Sequence, residues 1–213
     1  MTYSVKEIFY TVQGEGANAG RVAVFCRFTG CNLWSGREIH RSRAICQFCD
    51  TEFVGTDGDG GGKFQTAAEV ADRVECIWNE GGGGAQQKFI VCTGGEPLLQ
   101  LDEALTAALH DRGFFIAVET NGTKLAPSGI DWLTVSPKAN TELLIKSGNE
   151  LKLVYPQKGA PPEHYTGLDF GHFYLQPMAG DATEENTVSV IEYCKTHPQW
   201  RVGVQSHKVW GIA

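Results

Sequence analysis

From Val22 to the C-terminus, short apolar runs rich in β-branched and aromatic residues alternate with longer amphipathic stretches. Repeated β-α units around a parallel sheet produce that order, because each strand must be led back to the same edge by a crossover that covers the sheet. The runs at 23–28, 89–92, 114–118, 132–135, 151–155, 173–175 and 202–205 predict strands. Residues 67–78 predict a helix opened by a capping box, with Thr66 as N-cap and Glu69 three residues on. Residues 102–110 and 184–195 also read as helices, with Gly113 and Pro198 as stops. Residues 2–12 predict an N-terminal strand feeding the sheet. The 213 residues suit one all-parallel, barrel-like α/β unit.

Two glycine tracts, 55–62 and 81–84, read as flexible loops, because ordering glycine costs the most backbone entropy. The Gly58-x-Gly60 pattern is too loose for a dinucleotide fingerprint, with no strand before it and no helix after. The polar or glycine-rich segments 30–51, 93–97, 119–122, 136–138, 176–178 and 206–208 each follow the carboxyl end of a predicted strand. In parallel barrels that is the face where active sites assemble, so the segments predict one shared site rather than six ordinary loops.

With 18 Lys and Arg against 25 Asp and Glu, the net charge of −7 argues against nucleic acid and for a small substrate. No stretch reaches the roughly 18 apolar residues of a membrane span, and no basic-then-apolar leader is visible, so a cytoplasmic location is expected. In that reducing compartment the seven cysteines are expected to serve metal binding or catalysis rather than disulfides.

Cys31, Cys46 and Cys49 form C-x14-C-x2-C in the long segment after the first barrel strand. Three thiolates suit a cubane iron-sulfur cluster whose fourth iron stays open to a non-protein ligand. With His40 as a fourth ligand they suit a closed structural zinc site equally well, and the spacing alone does not separate the two. Cys26, Cys76, Cys92 and Cys194 fall among Val, Phe and Ile in predicted elements and read as core thiols.

The three cysteines together with Thr93, Gly94, Gly95, Glu96 and Pro97 resemble the radical S-adenosylmethionine superfamily. More closely, the chain resembles the 7-carboxy-7-deazaguanine synthase family nearly end to end, beginning with Phe9, Tyr10, Thr11, Val12, Gln13, Gly14, Glu15 and Gly16. The resemblance implies a partial parallel β/α barrel in a single domain over 1–213, with an N-terminal substrate loop and a cluster-binding loop at 30–51. It implies that Cys31, Cys46 and Cys49 hold a [4Fe-4S] cluster, and that Thr51 is a Mg2+ ligand, a hard-oxygen donor of the kind magnesium prefers.

S-adenosylmethionine is implied to contact Phe48, Cys49, Asp50, Gly95, Glu96, Ser136, Pro137, Lys138, Gln176, Pro177, Met178 and Ala179, with Glu96 accepting from the methionine ammonium. Substrate is implied to meet Val12, Gln13, Gly14, Thr93 and Ala213, with Arg27 on its carboxylate. Glu119, Thr120, Asn121 and Gly122 resemble a feature near the ribose, though an Asn-Gly turn is also generic. The implied reaction turns 6-carboxy-5,6,7,8-tetrahydropterin into 7-carboxy-7-deazaguanine with loss of ammonia, on the way to queuosine. A low-potential electron donor such as flavodoxin and a homodimer are also implied. A glycyl-radical activase of the same superfamily and a non-catalytic zinc module are the alternatives.

Overall fold

The computed structural model describes residues 2–84 and 87–212; the expected contact of Ala213 lies outside them. The strands are β1 (Tyr3–Val12), β2 (Val22–Phe28), β3 (Gly62–Phe64), β4 (Lys88–Gly94), β5 (Phe114–Thr120), β6 (Trp132–Val135), β7 (Ser147–Tyr155), β8 (Asp169–Pro177) and β9 (Trp200–Val202). They form one sheet in the order β3-β1-β2-β4-β5-β6-β7-β8-β9. Every pair from β2 to β9 is parallel, and β3 and β9 remain separate edges, so the sheet is a barrel left open. The expectation of an all-parallel sheet is corrected at one side: β1 runs antiparallel to both β2 and β3.

Helices α1 (Ala67–Glu80), α2 (Glu103–His110) and α3 (Thr183–Thr196) cover the outer face, and a short α4 (Ser206–Trp210) follows β9. The Thr66 hydroxyl caps α1 by accepting from Glu69 N at 3.2 Å. The Glu69 carboxylate reaches back one residue further than a capping box requires, to Gln65 N at 2.7 Å. Alternate residues of β2, β4 and β5, such as Val24, Phe28, Ile90, Ile116 and Val118, pack outward with Val70, Val74, Leu105 and Leu109 of the helices. A second outer core joins Leu151, Leu153, Phe173 and Leu175 to Val190 of α3 and to Trp200.

Three sequence expectations change. The last strand lies at Trp200–Val202 instead of 202–205, because the Trp200 ring is the residue that packs, edge-on against Phe173 at 5.3 Å. The first glycine tract is not free: Gly58 N donates to Lys6 O and Ile8 N to Asp59 O, and Gly62 opens β3. Among the four cysteines read as core thiols, Cys26 and Cys92 are buried side by side, whereas Cys194 is half-buried and Cys76 is exposed on α1. No helix among the described residues is long and apolar enough to cross a membrane.

Candidate active site

Strand alternation turns every second residue toward the hollow side of the sheet. The register then aligns a polar row across it. Glu7 stands opposite Arg27, Arg27 beside Thr93, Glu119 beside Thr134, Thr134 beside Glu150, and Glu150 beside His172. The pairing of Cys92 with Val118 sets Thr93 alongside Glu119 and completes the row. Toward the amino ends of the strands the same face is apolar, with Ala23, Phe89, Val91 and Ala117 buried and the Arg21 guanidinium 3.9 Å from the Phe89 ring. The row is therefore the floor of a site open toward the carboxyl ends.

Charge is concentrated on this floor. The buried Lys152 ammonium pairs with Glu15 and, at 3.3 Å, with Glu119. Burial pushes both partners of the Lys152–Glu15 pair toward their neutral forms. Their mutual attraction, joined by Glu119 on the lysine, outweighs it, so Lys152 lies above the ordinary lysine value and Glu15 below the carboxylate one. Gln13 Nε2 donates to Glu119 at 3.0 Å and its carbonyl accepts from Glu15 N at 3.0 Å, while Gln205 donates to Glu15 at 2.9 Å. Glu150 is buried beside them, pushed up by that burial, and its Oε2 accepts from Ala17 N at 2.8 Å.

The thiols come to this cavity on a loop whose base is fixed by main chain. Gly94 N belongs to β4, and beyond it Gly95 N donates to Phe28 O at 3.2 Å and Glu96 N to Gly30 O at 2.9 Å. A Cβ on Gly95 would sit 2.1 Å from the Gly30 carbonyl oxygen, and one on Gly94 2.2 Å from that of Phe28. These glycines thus permit strand β4 to touch the start of the cysteine loop. Asn121 Nδ2 donates to Asn32 at 3.1 Å, tying the loop to the end of β5.

Glu96, expected on the methionine ammonium, is engaged within the protein. Its fully buried carboxylate accepts from Thr120 Oγ1 at 2.7 Å, Asn121 N at 2.8 Å and Leu98 N at 3.0 Å, and it is not among the residues lining the cavity. It joins β4 to β5, and burial outweighs these bonds in raising its carboxyl.

Cys31, Cys46 and Cys49 line one cavity with Gly95, Asn121 and Lys138, and no histidine lines it. His40, the possible zinc ligand, is exposed and bonded to Ser35 at 2.9 Å. Among the described residues no three His, Cys, Asp or Glu side chains are grouped so as to hold a metal ion. A cubane asks for something different, one thiolate on each of three irons, and three soft donors without a fourth side chain fit it. Burial raises the Cys31 and Cys46 thiols, and the nearby Lys138 ammonium partly offsets this at Cys46.

The chain matches the Radical SAM superfamily over residues 40–204. It is 61% identical to the 7-carboxy-7-deazaguanine synthase of Caulobacter vibrioides and 58% identical to that of Bradyrhizobium diazoefficiens, each over 100% of both chains. The chain belongs to the 7-carboxy-7-deazaguanine synthase family of radical S-adenosylmethionine enzymes. The crystal structure of QueE from Escherichia coli superimposes with a TM-score of 0.70 at 26% identity, covering 97% of this chain and 95% of that one. Neither the activase nor the zinc-module alternative describes these relatives.

Within this synthase fold the cavity has two lobes. The first holds the three cysteines with Phe48, Ser136, Lys138, Gln176, Pro177, Met178 and Ala179; the second holds Val12, Gln13, Gly14 and Arg27. Glu15, Asp50, Thr51, Thr93, Glu119 and Gln205 line both. Pro137 lines neither, and its carbonyl accepts from Gln157 at 3.4 Å. Arg27 is engaged by Glu7, Nε to Oε1 at 2.7 Å, and Asp50 by Lys208 at 2.7 Å.

Sequence reasoning passed over Glu15, Lys152, Gln205 and His207 as site residues. Lys152 and Glu15 are separated by 137 positions, and only the fold brings the loop after β1 onto β7.

Proposed function

We propose that Cys31, Cys46 and Cys49 hold the [4Fe-4S] cluster of a carbon-nitrogen lyase that converts 6-carboxy-5,6,7,8-tetrahydropterin to 7-carboxy-7-deazaguanine with loss of ammonia, in queuosine biosynthesis. The observation that carries this reading is the two-lobed cavity, with three thiols in one lobe and an arginine in the other. When bound, the cluster and S-adenosylmethionine supply reductive cleavage of a carbon-sulfur bond, and so a hydrogen-abstracting radical.

The protein's part is to bind, orient and shield. Phe48, Cys49, Asp50, Gly95, Ser136, Lys138, Gln176, Pro177, Met178 and Ala179 form the S-adenosylmethionine lobe in this reading. Arg27 offers a guanidinium to the pterin carboxylate, and Val12, Gln13 and Gly14 offer main chain and amide to its ring edge. Because the Gln13 amide donates to the Glu119 carboxylate and its carbonyl accepts from the Glu15 main-chain N–H, its side chain also holds Glu119 and the turn at Glu15 in place. The Thr51 hydroxyl is proposed as a Mg2+ ligand in the wall common to both lobes. Apolar walls from Trp34, Leu33 and Phe53 keep water from the thiol lobe.

The same reading takes residues 1–213 as one domain, with 30–51 as the cluster loop, in a cytoplasmic homodimer, two-fold dimers being the commonest closed assembly. Anaerobic reconstitution with iron and sulfide, followed by reduction, S-adenosylmethionine and the pterin, should give the deazaguanine product. Cys31→Ala, Cys46→Ala and Cys49→Ala should each lose the visible cluster absorbance and the product together. Full turnover by any one of the three would remove the cluster from the reaction.

A further inference from the structure

This inference rests on the reading that the second lobe holds the pterin, and it concerns the face of the ring. A heterocycle in a cavity presents a polar edge, for which Gln13 and Gly14 are the partners in that reading, and an apolar face that needs a partner of its own. Most of the lobe is walled by charged, amide and hydroxyl side chains. Among the described residues that line it, the apolar side chains are Phe9, Val12 and Phe25.

The β1–β2 register sets Phe9 opposite Phe25, two positions along from the pair of Glu7 and Arg27 and so on the same side of the sheet. The two rings stack with centroids 5.6 Å apart and planes 23° from parallel, and the Arg27 guanidinium lies 5.8 Å from the Phe9 ring. Along β1 the rings therefore fall between Arg27, the partner of the pterin carboxylate, and Val12 with the Gln13 and Gly14 that follow it. Rings that served only to fill the core would be fully buried, as Phe28 and Phe89 are. Phe9 and Phe25 are half-buried and line the cavity. Phe25 also packs on the apolar layer of Phe89, Val91 and Ala117, whereas Phe9 stands apart from that layer.

The reaction changes the shape of the ring it acts on. Tetrahydropterin carries saturated carbons in its second ring, which is puckered, whereas the deazaguanine is flat and aromatic throughout. An aromatic side chain gains from a second π-system beyond the area it buries, in offset stacked or edge-on contact alike. We propose that Phe9 and Phe25 are specificity-determining residues of the pterin lobe, an aromatic bed that favours a flat ring over a puckered one. The same contact then holds the product more firmly than the substrate.

The test titrates reconstituted enzyme, its cluster left oxidised so that no turnover occurs, with 6-carboxy-5,6,7,8-tetrahydropterin and with 7-carboxy-7-deazaguanine under anaerobic conditions. In Phe9→Leu, which keeps apolar bulk and removes the π-system, the product should bind about fivefold or more weakly while the pterin changes within about twofold. Phe9→Tyr keeps the ring and should stay near the wild type for both. In the wild type, oxidised 6-carboxypterin, flat in both rings, should bind more tightly than the tetrahydropterin. That measurement stands even if the leucine variant assembles poorly. An unchanged product affinity in Phe9→Leu, equal losses there for product and pterin, the same loss in Phe9→Tyr, or a wild type that prefers the tetrahydropterin to the oxidised pterin would overturn the proposal. A wild type that binds none of the three ligands would instead overturn the pterin reading beneath it.

Discussion

The Glu150 carboxylate occupies the space where any residue but glycine at position 16 would carry its Cβ, which would lie 2.1 Å from Oε1. Gly16 also has a φ of +65°, and the next residue, Ala17, donates its N–H to the same carboxylate at 2.8 Å. One buried acid on β7 thus sets the path of the loop that follows Gln13 and Gly14. Gly16→Ala should raise the KM for the pterin about tenfold or more, with smaller effects on S-adenosylmethionine binding, since left-handed strain of ~1–2 kcal/mol adds to the clash. Glu150→Gln keeps an acceptor for Ala17 and should restore most of what Glu150→Ala loses. Steady-state kinetics with each ligand varied separately distinguishes loop positioning from general damage, which would lower kcat and stability alike.

Glu96 anchors three donors in a site without water access, so its removal should be felt in stability before chemistry. Glu96→Ala leaves those donors unpaired at about 1–3 kcal/mol each, partly relieved by relaxation. A fall in Tm of roughly 10 °C is expected for a chain of this size. Glu96→Gln should fall between, because its amide accepts from one side and meets the Asn121 N–H with another donor on the other. Thermal unfolding of the cluster-free proteins measures this directly. An unperturbed Tm for Glu96→Ala would return Glu96 to ligand binding.

Lys152→Met should leave Glu15 buried, and the half-buried Glu119 beside it, without their cation, costing about 3–5 kcal/mol near neutral pH. The pH dependence has opposite signs in the two proteins. In the wild type the Glu15 value lies below the unfolded one, so its stabilisation is present above the unfolded value and lost as pH falls through the folded one. In the variant burial acts without the lysine and lifts Glu15 above the unfolded value, so stability is regained as pH falls through that raised value. The Tm gap should therefore narrow between pH 8 and pH 5, and a gap of constant size would contradict the assignment.

Arg27→Ala should raise the pterin KM more than tenfold and leave S-adenosylmethionine affinity near wild type, as loss of a charge-assisted contact of ~1.5–3 kcal/mol implies. Glu7→Gln, which removes the paired charge but keeps an acceptor for Arg27 Nε, should change the pterin KM only a few-fold. Isothermal titration with each ligand gives the comparison. Equal loss for both ligands would make Arg27 a structural residue.

The strands of the barrel were legible because short apolar runs rich in β-branched and aromatic residues stand out in the sequence, and residues 132–135 coincide with β6 to the residue. The three-residue β3, which begins on the last glycine of the first tract, was hidden, since its identity lies in backbone pairing with β1 and not in side chains. Cys76 looked like core by its neighbours. Helical geometry puts it two positions past Val74 and one before Ile77, off the buried stripe. The ligand loop could be read from spacing and motif, but the direction of Glu96 could not, because its three partners belong to the turn beyond it and to the far end of β5. Likewise Glu150 and Lys152 read only as strand neighbours until the register brought them beneath Glu15.

The joint at Gly94 and Gly95 is made of main-chain atoms alone, and so makes no demand on what the cysteine loop says between its fixed ends. Asn32 is tied at one end and Cys49, through Arg41, at the other. The exposed side chains of Ile39 and Arg43 carry neither tie, so those positions of the loop can change without shifting the thiols.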